Sequence, residues 1–337
     1  MPDPSLPESA ATVRLRRRSN LAASYVRALI PKRADPASGD ELDMPCLELP
    51  RVATDPRRLR RYTEICGFTD SANSAAGVGD GTMPATYPHL TAFPMAMALM
   101  TRRAFPLPVL GLVHIANEIE QLRPLPATAG LDYRVWISAL REHAKGTAFD
   151  VYAQASLDGE PVWKSVSTYL RRRAIRDQRP ESAQQPVPDG VAESGEVWSL
   201  PASLGRRYAA ISGDRNPIHL HPLTARAFGY PRPIAHGMWT AARCLAALAA
   251  SYDGVGLPRE FLFRTEFHKP VPLPARVRFE PRVSGNESIF VLRSHDGRRD
   301  HIHGVLAAGE QQRGPQQEHP GDADRQPGAD QRGQQAP

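Results

Sequence analysis

The hydrophobic positions of this chain fall into one layout that is used twice. From Tyr87 to Met100 apolar side chains occupy nearly every face of a helix, among them Leu90, Phe93, Met95, Met97, Leu99 and Met100. A helix that is apolar all round has to be enclosed by other structure. The four segments after it, Gly111 to Leu122, Asp132 to Glu142, Thr147 to Leu157 and Val162 to Leu170, are rich in β-branched and aromatic residues and predict strands. Asp158-Gly159 between the last two predicts a tight hairpin turn. One helix wrapped by an antiparallel sheet is the expectation. A second apolar helix, Gly237 to Ser251, and strands near Phe261 to Lys269, Ala275 to Val283, Ser288 to Ser294 and His301 to Ala307 repeat the layout with little identity of sequence.

Between and around these units the pattern changes. Ser19 to Ile30 reads as a short amphipathic helix flanked by arginines, suited either to a membrane surface or, as such faces more often do, to docking on its own domain. Arg57 to Cys66 predicts a basic helix, followed by a Ser/Gly/Ala-rich loop over Asp70 to Gly81. Beyond Arg171 hydrophobicity gives way to Gln, Pro, Ser and Arg, marking a linker. After Gly309 no large apolar side chain remains, so the tail cannot offset its ordering entropy and is expected to be disordered. The expected organisation is an extension over 1–43, a first unit over 44–173, a linker over 174–195, a second unit over 196–309 and a tail over 310–337.

Composition supports two cores. A chain of 337 residues suits two units of about 100 to 150 residues, and its 41% apolar content is enough to fill them. No apolar run approaches the length that spans a bilayer, and no signal-peptide core follows Arg14, Arg16, Arg17 and Arg18, so a soluble cytoplasmic protein is expected. Cys46, Cys66 and Cys244 have no CxxC spacing, which argues against a disulfide framework or zinc site and for reduced thiols, with Cys244 buried on its helix. The net charge of +6 favours anionic partners. No zinc-finger, RNP-type or basic-zipper pattern points to nucleic acid as that partner.

The candidate chemistry is concentrated in Tyr208-Ala-Ala-Ile-Ser-Gly-Asp-Arg-Asn-Pro-Ile-His219, where Asn216-Pro217 favours a turn that brings Asp214 and His219 to one side. A carboxylate and an imidazole so placed can hold one water. Capping would explain Asp214 or Asn216 singly, but not their company with His219 and the pair His236-Gly237. The run Ile211-Ser-Gly-Asp-Arg-Asn-Pro-Ile-His219 with Ala235-His-Gly-Met238 resembles the signature of MaoC-like, R-specific enoyl-CoA hydratases (hydratase 2). The resemblance covers Glu196 to Gly309 well, while Met44 to Arg173 looks like a degenerate copy, as in double hot dog members. It implies an α+β double hot dog, two antiparallel sheets each around a central helix. His221 departs from the family pattern, which more often has a small acidic or amide residue there, and altered helix capping is the expected consequence.

The resemblance implies reversible hydration of a trans-2-enoyl thioester of coenzyme A or acyl carrier protein to the (R)-3-hydroxyacyl product. Such a reaction needs a proton taken from water, a proton delivered to the α-carbon and a donor for an enolate-like oxygen. Asp214 and His219 are the candidates for the first two, and the backbone N–H of Gly237 at a helix start for the third. A glycine that merely permits close packing is the alternative for Gly237. Asn216 is read either as orienting the water or as forming an Asx-turn, and His236 as contacting the thioester or as a packing residue. Lys269 and Arg276 are candidates for a phosphate of the ligand, against the reading that they are ordinary surface cations. Asp80 to His89, at the place corresponding to the signature, lacks the run, so the first unit is expected to do no chemistry and to accommodate the acyl chain. No metal or redox cofactor is implied, no membrane insertion is expected, and the resemblance leaves room for a homodimer. The rival readings are an acyl-CoA thioesterase, disfavoured because neither buried helix carries Asp or Glu, and a non-catalytic acyl-thioester scaffold, opposed by the intact Asp214 and His219.

Overall fold

In the computed structural model the described residues are 11–28, 30, 42–68, 81–173, 195–252 and 256–309. The expected tail, nearly all of the linker and of the Ser/Gly/Ala-rich loop, and about half of the extension lie outside them. The first half comprises β1 (Thr12–Arg14), α1 (Leu21–Ala28), β2 (Cys46–Val52), α2 (Pro56–Cys66), β3 (Thr82–Met83), α3 (His89–Met100), β4 (Leu112–Gln121), β5 (Leu125–Pro126), β6 (Leu131–Ile137), β7 (Arg141–His143), β8 (Gly146–Leu157) and β9 (Glu160–Arg172). The second comprises β10 (Glu196–Leu200), α4 (Leu204–Ser212), a 3-10 turn (Pro217–His219), α5 (Pro222–Ala227), α6 (Gly237–Ser251), β11 (Phe261–Phe267), β12 (Ala275–Ser284), β13 (Glu287–Ser294) and β14 (Asp300–Ala308).

Most predicted elements appear within a few residues of their expected bounds. Asp158 and Gly159, both at positive φ, close the β8–β9 hairpin, the backbone a two-residue primed turn requires. The segment expected as one strand over Asp132 to Glu142 is instead broken into β6 and β7. β1, β2, β3, β5 and β10 and the helix α4 were not anticipated. α2 follows from its ends: the Asp55 carboxylate accepts the N–H groups of Arg57 and Arg58, Pro56 opens the first turn, and Gly67 at φ 80° closes the last.

The strands form one continuous sheet in the order β1-β2-β6-β8-β9-β4-β11-β14-β13-β12-β10, with β7 paired to β8. Within each half the permutation is the same. The first strand in sequence lies outermost of the five shared strands, followed by the third, fourth and fifth, and the second lies at the centre. The two central strands, β4 and β11, pair antiparallel from Phe261 opposite Gln121 to Glu266 opposite Ala116, so the two helix-wrapped sheets are joined edge to edge. Side chains reinforce this seam: Thr265 donates to the Asn117 carbonyl at 3.2 Å and Gln121 to the Arg259 carbonyl at 2.9 Å.

Each half encloses its apolar helix. Leu90, Met95, Leu99 and Met100 of α3 are buried. In α6 a run of small residues including Ala241, Ala242, Ala246 and Ala247, together with Cys244, lets the sheet close tightly around Trp239, Leu245 and Leu248. The two cores merge into one cluster. Helix α2 bridges them, since the Trp239 indole of α6 donates to the Ile65 carbonyl at 2.9 Å.

Candidate active site

The signature run lies between α4 and α5. The chain leaves α4 through Gly213, in the left-handed region at φ 84°, and turns sharply because the Asn216 side chain accepts the Ile218 N–H at 3.4 Å and caps the 3-10 turn that ends in His219. Gly205 in α4 faces the carbonyl of His219, and a Cβ there would collide with that oxygen. His221 then caps α5, its Nδ1 accepting the Leu223 N–H at 3.2 Å, so the departure from the family pattern is absorbed by a different cap.

The fold brings Asp214, His219 and His236 together, with one side-chain oxygen or ring nitrogen from each lying within 4.8 Å of the others. His219 is buried and its Nδ1 lies 2.8 Å from the Ile234 carbonyl. A carbonyl can only accept, so Nδ1 carries the proton and Nε2 of the neutral ring is an acceptor. His236 is likewise fixed: Nε2 donates to the backbone carbonyl of Asp214 at 3.0 Å, and its ring stacks on that of His219 with centroids 3.7 Å apart. The remaining nitrogen of His236, Nδ1, is buried without a partner.

Asp214 keeps 23% of its side-chain surface. Its Oδ1 accepts the Asn216 N–H at 3.1 Å and the hydroxyl of Tyr25 on α1, while Oδ2 faces His236 at 3.9 Å. Burial works to raise the pKa of this carboxyl, but His236, His219 and the Tyr25 and Asn216 hydrogen bonds together outweigh it and hold the group below the usual value. Burial lowers the pKa of His219, opposed by Asp214 and the Ile234 carbonyl, and drives that of His236 down to about 3, with the neighbouring His219 adding to the fall. At neutral pH the site therefore holds an ionised carboxylate beside two neutral imidazoles.

Gly237 begins α6, and no side chain caps this helix, so its first-turn N–H groups have no side-chain acceptor from the cap residue. A Cβ at Gly237 would press on the Phe267 ring at 3.2 Å, so close packing and an open N–H are both features of this glycine. Lys269 is exposed just beyond β11, on a segment tied to the α6 entry by the Ala235 N–H donated to the Val271 carbonyl at 2.9 Å. Arg276 is exposed on β12, next to the outermost strand β10. Neither cation hydrogen-bonds or pairs with Asp214, His219 or His236.

Sequence reasoning did not identify Tyr25 or Arg58 as parts of this arrangement. The Arg58 guanidinium of α2 donates to the Ile211 and Ser212 carbonyls at 2.8 and 3.1 Å, holding the end of α4 just ahead of Asp214. Nothing in a basic helix signals that one arginine caps a helix 153 positions away. The expected docking of the N-terminal helix is observed, with Ser24 and Ala28 buried and Leu21 against Gly213.

Residues 194–305 match the model of the MaoC like domain. Over 237 residues, 70% of this chain and 79% of the relative, the sequence is 33% identical to 3-hydroxyacyl-thioester dehydratase X of Mycobacterium tuberculosis. It is 28% identical over 150 residues to the peroxisomal enoyl-CoA hydratase 2 of Arabidopsis thaliana, covering 41% of this chain and 48% of that one. A crystal structure of HtdX from M. tuberculosis superposes with a TM-score of 0.65 at 30% identity, covering 78% of this chain and 100% of that one. A MaoC-like dehydratase from Phytophthora capsici gives a TM-score of 0.65 at 20% identity over 80% of this chain and 96% of that one, which speaks for the fold.

Proposed function

The chain belongs to the MaoC-like dehydratase family, and on that premise we propose that Asp214 and His219 carry out the reversible hydration of a trans-2-enoyl thioester to the 3-hydroxyacyl thioester. The observation that carries the assignment is the convergence of an ionised carboxylate and a neutral imidazole, its tautomer fixed by the Ile234 carbonyl, within 4.8 Å at the entrance to α6. Both groups are acceptors, so one water donates a hydrogen to each and directs its oxygen lone pair at the β-carbon of the alkene. As the C–O bond forms, one side chain takes the water's proton and passes it to the α-carbon, so the two parts of a single water complete the product and no outside acid is consumed. Dehydration is the same sequence reversed.

The N–H of Gly237 lies at the positive end of α6 and serves the thioester oxygen as negative charge develops on it. Asn216 acts through the loop, since its amide oxygen is engaged by Ile218 N–H and its own N–H by Asp214. His236 supports the pair from behind by stacking and by fixing the Asp214 backbone. Lys269 and Arg276, both exposed, are the proposed partners of a phosphate of the ligand. The substrate is a coenzyme A or acyl-carrier-protein thioester, and no metal or redox cofactor enters the scheme. A cytoplasmic location and a homodimer belong to the same proposal; among the described residues no helix is long and apolar enough to cross a membrane.

The test follows enoyl-thioester absorbance on trans-2-enoyl-CoA substrates of graded chain length. Turnover by the natural chain, lost in folded Asp214→Asn and His219→Ala variants, is the expected result. Binding without turnover would sink the assignment in favour of a scaffold, and release of free thiol would point to thioester hydrolysis, although neither α3 nor α6 carries a carboxylate.

A further inference from the structure

Helix α1 lies outside both helix-wrapped units, yet it reaches the centre of the candidate site. The segment is anchored at one end by β1, which pairs parallel to β2 at the edge of the first half, and by the Arg18 guanidinium on the Ala53 carbonyl at 3.1 Å. Asn20 starts the helix, its side chain accepting the Ala23 N–H at 3.2 Å. The buried face then packs Ser24 and Ala28 inward and sets Leu21 against Gly213, one residue before Asp214. Tyr25 follows one turn after Leu21, and its hydroxyl donates to Oδ1 of Asp214.

Resting on the reading of Asp214 as a water-binding base, we propose that Tyr25 is a positioning residue for this reaction, whose hydroxyl together with the Asn216 N–H occupies Oδ1 and reserves Oδ2 for the reacting water. A carboxylate on a loop is free to rotate about its Cβ–Cγ bond and to present either oxygen. Two donors on one oxygen fix that rotation, and they come from opposite directions in sequence: one from within the signature loop and one from a helix 189 positions earlier. The same oxygen is then unavailable to water, leaving Oδ2, which faces His236 at 3.9 Å, as the open acceptor. Preorganisation of this kind lowers the reorganisation needed as the proton moves.

The Asp214 carboxyl is faced by groups from both halves: His219, His236 and Tyr208 of the second, and His89, His114 and Tyr169 of the first. The largest influences that lower its pKa are His236, His219, the Tyr25 hydroxyl and the Asn216 N–H. Removal of the Tyr25 hydroxyl therefore raises it, and the acid limb of the kcat/KM profile moves to higher pH.

The experiment compares the full chain with Tyr25→Phe, which deletes one oxygen and keeps the ring. On the best trans-2-enoyl-CoA substrate the expected result is a fall in kcat of about tenfold or more, the scale of a hydrogen bond to a charged group. KM should change little and the acid limb should move upward. An unchanged kcat and limb would overturn the proposal, as would a lowered kcat with an unmoved limb, which marks a contact that only supports the fold. Increased turnover would also overturn it, since α1 would then be an obstruction of the site. If Tyr25→Phe does not fold, Leu21→Ala loosens the helix from Gly213 without touching the hydroxyl and must give the same changes at smaller size. If the natural chain hydrates nothing, the catalytic assignment fails first, and the pairing is then read without turnover from the Asp214 carboxyl carbon resonance, whose titration must shift upward in Tyr25→Phe.

Discussion

The two halves share five strands in the same permutation around an apolar helix, but they secure the segment entering that helix by different means. In the first half the Trp163 indole donates to the Ala85 carbonyl at 2.7 Å and the Tyr62 hydroxyl to Thr86 at 2.9 Å. In the second a carbonyl just ahead of the helix, that of Ile234, is held by an imidazole, His219 Nδ1 at 2.8 Å. Both devices satisfy a backbone carbonyl that would otherwise be buried unpaired. Only the second leaves a basic nitrogen on the other side of the ring. One hydrogen bond thus serves the fold in both halves, and the choice of ring decides whether it can also serve a reaction.

The largest expected effect sets these two carbonyl ties against each other. Asp214→Asn and His219→Ala should each reduce turnover by about 10²- to 10⁴-fold, the range of general acid-base catalysis. Trp163→Phe should instead leave the Ala85 carbonyl unpaired at a cost of about 1–3 kcal/mol of stability, with turnover at native temperature little altered. Steady-state rates and thermal unfolding on the same preparations check both, and a large rate loss in Trp163→Phe would break the division between a packing half and a chemical half.

Gly205→Ala forces a methyl group onto the His219 carbonyl. The expected loss is about 1–3 kcal/mol, as for other overpacked sites, accompanied by reduced turnover because the strain falls on the turn carrying His219. Denaturant midpoints beside initial rates would show whether stability and rate fall together. Replacing Arg58 by Met removes two charge-assisted bonds to the end of α4 while keeping a long side chain. A loss of about 1–2 kcal/mol is expected, with a fall in kcat larger than that of a neighbouring exposed substitution such as Arg60→Met. This change sharpens the comparison, since it tests whether the first half braces the loop of the second.

The smallest expected effect concerns acid stability. Burial lowers the pKa of His89 to about 4 and those of His114 and His236 to about 3, from an ordinary value near 6.5. Each such histidine is protonated in the unfolded chain before it is protonated in the folded one. The unfolded state therefore binds more protons as pH falls from about 6.5 towards 3, and stability declines across that window. The depressed Asp214 adds to the loss further down, as its folded form is protonated. His114 Nε2 is buried without a partner between the rings of Tyr169 and Phe267. Substitution by Phe removes both the unpaired nitrogen and this proton linkage, so the difference in unfolding temperature between pH 7 and pH 5 should narrow.

Much of this molecule is a direct consequence of local pattern. The two apolar helices, the strands of alternating or continuous β-branched and aromatic residues, the Asp158-Gly159 turn and the Asp55 and Asn216 caps each arise from interactions within a few residues, which periodicity and turn chemistry record. Asp214, His219, Asn216 and the His236-Gly237 pair were legible because short spacing and residue type already restrict what a turn and a helix start can do. The tertiary structure alone decided the rest. The edge pairing of β4 with β11 makes one sheet of two, the stacking of His236 on His219 unites residues from two segments, and Arg58 and Tyr25 reach the signature loop from positions about 150 and 190 residues earlier. These contacts depend on how the two halves pack, and a lone tyrosine or arginine on an amphipathic helix has the same local pattern whether it meets solvent or a buried carboxylate.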